Sequence, residues 1–341
     1  MVPHGDGQPI LCSHGMAQAF ELAEEFAKAL HQRVKAGGFI KTLLQRRVGS
    51  SLTAGLKTTE KMLAGHPPAE DEDPDEEGVS IYPLQGHEKA ILGRLRDHLE
   101  SHLDREDDPK FERVREVLDL AFEGRKWIDR GVLIFSQFYD SAYALAEYLL
   151  RHFDESIGLY ANSSASKLFE NGKEQSVNRE LLKEKVTQGR LKLLIGTDAA
   201  STGLNLQRLG CLINLDLPWN PTLLEQRKGR VQRGTLAKRI PFYNMRYAEG
   251  VEQRLFGTLS SRIQEITTIF GTVPDFIVDQ WVTDMLEDRA WDENAVLNII
   301  TERQQNPFTV KETTESLDAD WEAAAEILNQ IEVHRELLGG W

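Results

Sequence analysis

The stretch LKLLIGTDAASTGLNLQRLGCLINLDLPWNPTLLEQRKGRVQR, residues 191–233, decides how the rest of the chain is read. Leu191, Leu193, Leu194 and Ile195 form an apolar run stopped by Gly196, Thr197 and Asp198, the pattern of a buried strand that ends in a polar loop. A second apolar run, Cys211 to Leu215, ends in Asp216-Leu217-Pro218-Trp219-Asn220-Pro221. Pro221 stands where a helix can begin, because the first helical turn tolerates a missing N–H.

On that helix Gln226, Gly229, Arg230 and Arg233 share one stripe at 3.6 residues per turn, with Leu223, Leu224, Arg227 and Val231 largely elsewhere around it. Two guanidiniums and an amide therefore point one way. Gly229 on the same stripe removes a side chain where something can approach closely, at a helix cost of about 1 kcal/mol. Arginine holds phosphate oxygens bidentately, and one aimed at a transferring γ-phosphate is worth roughly a thousandfold in rate. The plain alternative is a solvated basic face.

Working outward, strand and helix alternate from Gly131. Val132 to Ser136 is apolar, a helix is expected from about Asp140 to Leu150, and Ile157 to Tyr160 reads as a strand. A helix follows over Asn178 to Gln188, and Ile240 to Met245 adds a further strand. Such alternation predicts an α/β fold, a parallel sheet with helices on both faces. Ser136-Gln137, Thr197-Asp198 and Asp216-Leu217 would then gather at the carboxyl ends of strands, where open α/β sheets collect ligands. Ala161 to Ser176 is longer and more polar than a tight connection requires, and reads as a mobile loop.

Before this region, Met1 to Gln8 reads as a loose end. Met16 to Leu30 and Phe39 to Leu63 carry helical periodicity, and Glu88 to Phe122 reads as a third helical stretch. Gly65 to Gly78 is proline-bearing and acidic, a solvated linker. Glu249 to Phe270 is again helical in period, and the acidic 276–341 segment predicts a helical extension.

The quoted residues resemble a known family. GTDAASTGLNLQ (196–207), LDLPWNP (215–221) and EQRKGRVQR (225–233) are similar to motifs V, Va and VI of helicase superfamily two. Their wording is that of the Swi/Snf branch of ATP-driven double-stranded DNA translocases, in its bacterial form often linked to a phospholipase-D-like nuclease domain. GVLIFSQF (131–138) resembles motif IV, and LQRRVGSSLTA (44–54) resembles the segment that joins the two motor lobes. The resemblance implies a RecA-like helicase C-terminal lobe over 126–275, a helical inter-lobe segment over 1–64, an acidic linker over 65–79 and a helical segment over 80–125. It implies that Arg230 and Arg233 are catalytic arginine fingers, that Gln226, Gly229, Gly203 and Asn205 bind nucleotide, and that Thr197 and Ser136 contact DNA. Thr202 departs from the arginine many relatives carry there.

No G-x-x-x-x-G-K-[ST] occurs in these 341 residues, and no apolar strand ends in Asp-Glu. ATP would therefore be shared with a first RecA-like lobe, supplied by another chain or by a further part of the same gene, and Mg2+ would take its ligands from that lobe. Double-stranded DNA is the expected partner. The formal charge of −14 does not oppose this, because the acids concentrate at Glu70–Glu77, Asp104–Asp108 and the C-terminal tail while Arg227 to Arg239 is basic. The alternative of a different class is a non-catalytic interaction module that keeps the fold. Cys12 with His14, and His98 with His102, are too few to make a metal site, so none is expected. Two distant cysteines and no run of 18 apolar residues indicate a reducing, cytoplasmic setting without a membrane span.

Overall fold

The structure is a computed structural model, described here for residues 10–33, 37–66, 83–103, 108–122, 124–161, 165–197, 209–217, 227 and 242–248. Helix α1 (His14–His31) starts where the Ser13 hydroxyl accepts a hydrogen bond from Met16 N at 3.2 Å. The helical region expected over 39–63 is two helices, α2 (Gly37–Ser50) and α3 (Leu52–Leu63). Ser51 divides them: its backbone is extended (φ −161°, ψ 157°) and its hydroxyl caps α3 by accepting from Ala54 N. A serine that bonds its own backbone favours a cap over a helix interior.

The helical stretch expected over 88–122 comprises α4 (Gly86–Leu103) and α5 (Pro109–Asp119). Asp108 caps α5 by accepting from Lys110 N at 2.9 Å, and Pro109 occupies the first turn, where no N–H is required. Phe122 belongs not to that helix but to a two-stranded hairpin of β1 (Ala121–Phe122) and β2 (Arg125–Lys126), turned by Gly124 at φ 77°. Helices α1 to α4 share a core that includes Phe26, Leu30, Leu44, Val48, Met62, Leu92, Leu95 and Leu99.

After the short α6 (Trp127–Arg130) come β3 (Val132–Phe135), α7 (Tyr139–Leu150), β4 (Ile157–Tyr160), β5 (Lys167–Glu170), β6 (Lys173–Ser176), α8 (Arg179–Thr187), β7 (Leu193–Gly196), β8 (Cys211–Asn214) and β9 (Phe242–Asn244). Seven strands form one sheet in the order β6-β5-β4-β7-β3-β8-β9. The pairs from β4 to β9 are parallel, as expected from the alternation of strands and helices. Every residue of β3, β4, β7 and β8 is buried, which is why these strands read as continuous apolar runs.

Alternate strand residues serve opposite faces. Val132, Ile134, Ile157, Leu159, Leu193 and Ile195 pack with Leu145 and Leu149 of α7 and Val114 and Leu118 of α5. Leu133, Phe135, Tyr160 and Leu194 pack with Leu182 and Val186 of α8. The 161–176 segment, read from sequence as a polar loop, carries the antiparallel hairpin β5–β6 on the sheet edge. Asn171 (φ 54°) and Gly172 (φ 70°) make its turn, the left-handed pair that suits a two-residue hairpin connection.

Ile10, next to the segment read as a loose end, pairs with the chain after β9: Ile10 N donates to Arg246 O and Ala248 N donates to Ile10 O, each at 2.7 Å. No described helix is long and apolar enough to cross a membrane. The expected C-terminal extension, 276–341, lies outside the described residues.

Candidate functional site

The parallel register sets three strand ends side by side. Phe135 lies opposite Gly196 on one side and Asn214 on the other, so Ser136, Thr197 and Leu215 follow at the same level. Ser136 N donates to Gly196 O at 3.0 Å and Leu215 N to Phe135 O at 2.8 Å, which carries the ladder one step beyond the strands. The polar residues expected at the carboxyl edge of the sheet from Ser136, Thr197 and Asp216 therefore do meet there.

Asp216 is the centre of this edge. Its Oδ2 accepts from Ser136 Oγ at 2.6 Å and from Ser50 Oγ at 2.7 Å, and its Oδ1 accepts from Gln137 N at 2.7 Å. The carboxylate is 3% exposed. A charge so buried persists where several donors compensate the lost water. Ser136 is fully buried and its hydroxyl proton points to this carboxylate, whereas Gln137 is half-buried.

The α2–α3 junction reaches the same place. Ser50 Oγ and Ser51 Oγ each lie 2.7 Å from Ser141 Oγ at the start of α7. Arg46 Nη2 donates to Gln137 Oε1 at 2.8 Å, and the Arg47 guanidinium lies 4.6 Å from the centre of the Phe138 ring. Arg47 Nη1 is also 3.9 Å from Asp140 Oδ2, while Lys57 Nζ donates to Asp140 Oδ1 at 2.8 Å. The arginines and serines of 44–54 thus face the 136–141 turn side chain by side chain.

Arg227 is fully buried. Its Nη1 donates to Asn214 Oδ1 and to the Asp216 carbonyl oxygen, both at 3.1 Å, and its guanidinium lies 5.0 Å from the centre of the Phe135 ring. Asn214 Nδ2 in turn donates to Asn244 Oδ1 at 2.9 Å, so the tie continues to the next strand. Thr197 is fully buried too, and its Oγ1 has no hydrogen-bond partner in the structure. A buried hydroxyl without a partner is uncommon in a folded protein.

Of the residues singled out from sequence, Ser136 and Thr197 lie on this edge, and Gln226, Gly229, Arg230, Arg233, Gly203 and Asn205 lie outside the described residues. The structure adds Asp216, Ser50, Ser51, Ser141 and Arg227. Asp216 was visible as a strand-end carboxylate, but its partners at 50 and 136 follow no local spacing. Arg227 stood off the basic stripe, and that position is the signal for a residue that faces the sheet.

Among the described residues no group of three or more His, Cys, Asp or Glu side chains is placed to hold a metal ion. His98 Nε2 bonds the Gly15 carbonyl oxygen at 2.7 Å, and His102 Nδ1 bonds the His98 carbonyl oxygen at 2.9 Å. These two rings join α4 to the start of α1.

Residues 109–235 match the helicase conserved C-terminal domain family. The chain is 31% identical over 172 residues to the uncharacterized ATP-dependent helicase YqhH of Bacillus subtilis, a match covering 50% of this chain and 28% of that protein. It is 27% identical over 150 residues to the ATP-dependent RNA helicase DBP8 of Phaeosphaeria nodorum, covering 43% of this chain and 27% of that protein. The chain thus spans little more than a quarter of the length of these two curated relatives. Among solved structures, the C-terminal part of the Fun30 ATPase domain is similar at 16% identity and a TM-score of 0.45, covering 83% of this chain and 97% of that one. The Pyrococcus furiosus Hef helicase domain is similar at 10% identity and a TM-score of 0.48, covering 74% and 57%.

Proposed function

We propose that this chain, which carries a helicase conserved C-terminal domain over residues 109–235, is the second motor lobe of an ATP-dependent DNA translocase of the bacterial Swi/Snf type. The observation that carries the proposal is Arg227. Its buried guanidinium ties the segment that bears Gln226, Gly229, Arg230 and Arg233 to the end of β8 and to Asp216. On a continuous helix Arg230 lies about 60° and Arg233 about 120° around from Arg227. On that helix, with Arg227 turned to the sheet, the sequence spacing would set both to one side of the anchor, with Gln226 and Gly229 between and beyond them.

In this proposal Arg230 and Arg233 reach the phosphates of ATP held between two lobes, and stabilise the charge that develops on the transferring group. Gln226, Gly229, Gly203 and Asn205 line the nucleotide, and Thr197, at the end of β7, meets a DNA phosphate once the edge that buries it opens. Ser136 acts from behind, since its proton is committed to Asp216, and shapes the turn that presents Gln137. ATP supplies the phosphoanhydride whose hydrolysis drives the cycle. The magnesium ligands belong to the first lobe. Closure and opening of the lobes would step the pair along duplex DNA in the cytoplasm.

The test is ATP hydrolysis with and without duplex DNA, for the chain alone and mixed with a polypeptide that carries a phosphate-binding loop and DExH strand. Hydrolysis in the mixture only, reduced roughly a thousandfold by Arg230→Ala, is the expected result. No hydrolysis in any mixture, with DNA binding unchanged by Arg230→Ala, would overturn the proposal in favour of an interaction module.

A further inference from the structure

We infer that Asp216 is a positioning residue that couples docking of the α2–α3 junction to the conformation of the Ser136–Phe138 turn, through a one-way chain of serine hydroxyls. The direction of that chain follows from proton counting. A carboxylate accepts only, so the single proton of Ser50 goes to Asp216 Oδ2 at 2.7 Å. The 2.7 Å contact between Ser50 and Ser141 must then be donated by Ser141. That spends the proton of Ser141, so its 2.7 Å contact with Ser51 is donated by Ser51. Ser51 keeps a lone pair, and it accepts from Ala54 N at 3.1 Å.

The order is therefore Ala54 N–H to Ser51 to Ser141 to Ser50 to Asp216, crossing from α3 to α7, back to the end of α2, and on to the loop after β8. All three serines are fully buried. On its far side the same carboxylate holds Ser136 Oγ and Gln137 N, and the carbonyl of the same residue holds Arg227. Each link is oriented by the next, so none can turn without leaving a neighbour unsatisfied.

That arrangement makes the junction two-state in character. With Ser50 seated, both oxygens of Asp216 are engaged and the Gln137 amide is held. With Ser50 withdrawn, Oδ2 loses one of its two donors and Ser141 loses its acceptor, both in a buried site. A partial withdrawal satisfies neither arrangement, and buried polar networks of this kind favour discrete alternatives over graded ones. Arg46 on Gln137 and Arg47 over Phe138 move with the same helix, so three contacts on one turn report the position of α2. Coupling is reciprocal, and the turn must in equal measure bias the junction. The bearing on catalysis rests on the motor reading above: the segment preceding the strand-end loops would tell the Arg227-anchored stripe whether the helices are seated.

The deciding experiment is amide hydrogen exchange on the full chain, which does not depend on hydrolysis. Ser50→Ala should speed exchange at the Gln137 amide on the order of tenfold while Leu194 and Ile195 stay protected. Ser50→Thr, which keeps the hydroxyl, should restore it, and Asp216→Asn should speed exchange at Ala54. Thr59→Ala is the structural control, because Thr59 bonds Gly55 O within α3 and lies off the chain of hydroxyls. It should leave Gln137 unchanged. If Ser50→Ala does not fold, Ser141→Ala cuts the same chain one link earlier with the same expectation. Unchanged Gln137 exchange in these variants, or equal acceleration in Thr59→Ala, would overturn the inference. In the two-lobe hydrolysis mixture Ser50→Ala should lower kcat with little effect on KM. Absence of hydrolysis in the parent mixture would sink the motor reading and leave the exchange result to decide the coupling.

Discussion

Arg227 Nη1 donates to Asn214 Oδ1 at 3.1 Å and thereby ties a residue of the basic segment to the last position of β8. Asn214 passes the tie to Asn244 of β9 at 2.9 Å. Two adjacent strands and the basic segment thus share one polar seam at the candidate site.

Arg227→Met keeps the apolar bulk beside Phe135 but leaves Asn214 Oδ1 and the Asp216 carbonyl without their donor. Buried acceptors left unsatisfied beside a lost charged donor cost about 2–4 kcal/mol. Urea unfolding of the two proteins should show that difference. Arg227→Lys should recover only part of it, because an ammonium cannot reproduce a planar guanidinium stacked on a ring while it bonds two acceptors.

The Arg33–Glu88 pair predicts an acid-sensitive contribution to stability. Glu88 is buried; burial by itself raises its carboxyl, but the Arg33 side chain and the Gln85 amide outweigh that and hold it below its ordinary value of 4.5. A lowered folded value means the unfolded chain binds the proton more readily, so the stabilisation is present above 4.5 and is lost as pH falls through the folded value. Glu88→Gln, which weakens the charged hydrogen bonds to Arg33, should cost about 1–2 kcal/mol at neutral pH. The gap between the two proteins should shrink steadily in urea titrations carried below the ordinary glutamate range.

Gly15→Ala tests the seam between α1 and α4. A methyl there would lie 2.0 Å from His102 Nε2 and 2.1 Å from His102 Cδ2. The ring cannot simply swing away, because its Nδ1 bonds the His98 carbonyl and its centre is 4.3 Å from that of the His98 ring. A loss of about 2–3 kcal/mol is expected in thermal unfolding. His102→Ala in the same chain should recover much of the loss, since the clash is with that ring and contacting sites are not additive.

At the hairpin turn, Gly172→Ala forces a side chain into φ 70°, although no atom crowds the position. Its cost is conformational, about 1 kcal/mol. Exchange of the β5–β6 amides should rise while β3 and β7 remain protected.

Much of this fold was legible because its strands and helices announce themselves locally. Val132 to Phe135 and Cys211 to Asn214 are apolar without interruption because both sheet faces are covered, and a short window of sequence suffices to see it. The hairpin was equally local in its signal: Asn171-Gly172 is a strong two-residue turn, obscured because Lys167 to Glu170 offers only Leu168 and Phe169 to the core and the edge strand Lys173 to Ser176 is polar and exposed. The breaks at Ser51 and Asp108 belong with it, since serine and aspartate compete with helix interiors through their own backbone bonds.

By itself, then, the sequence determined the alternation that makes a parallel sheet and the polar residues that end its central strands. Only the tertiary structure decided that Ser50 would meet Asp216 across 166 residues, that Arg227 would turn inward to the seam, and that Ser136 would spend its proton on a carboxylate. The physical reason is one of range. Apolar periodicity records how each residue meets its nearest neighbours along the chain, whereas a hydroxyl or carboxylate carries no mark of its partner until folding removes the water and leaves one another's atoms as the remaining donors and acceptors.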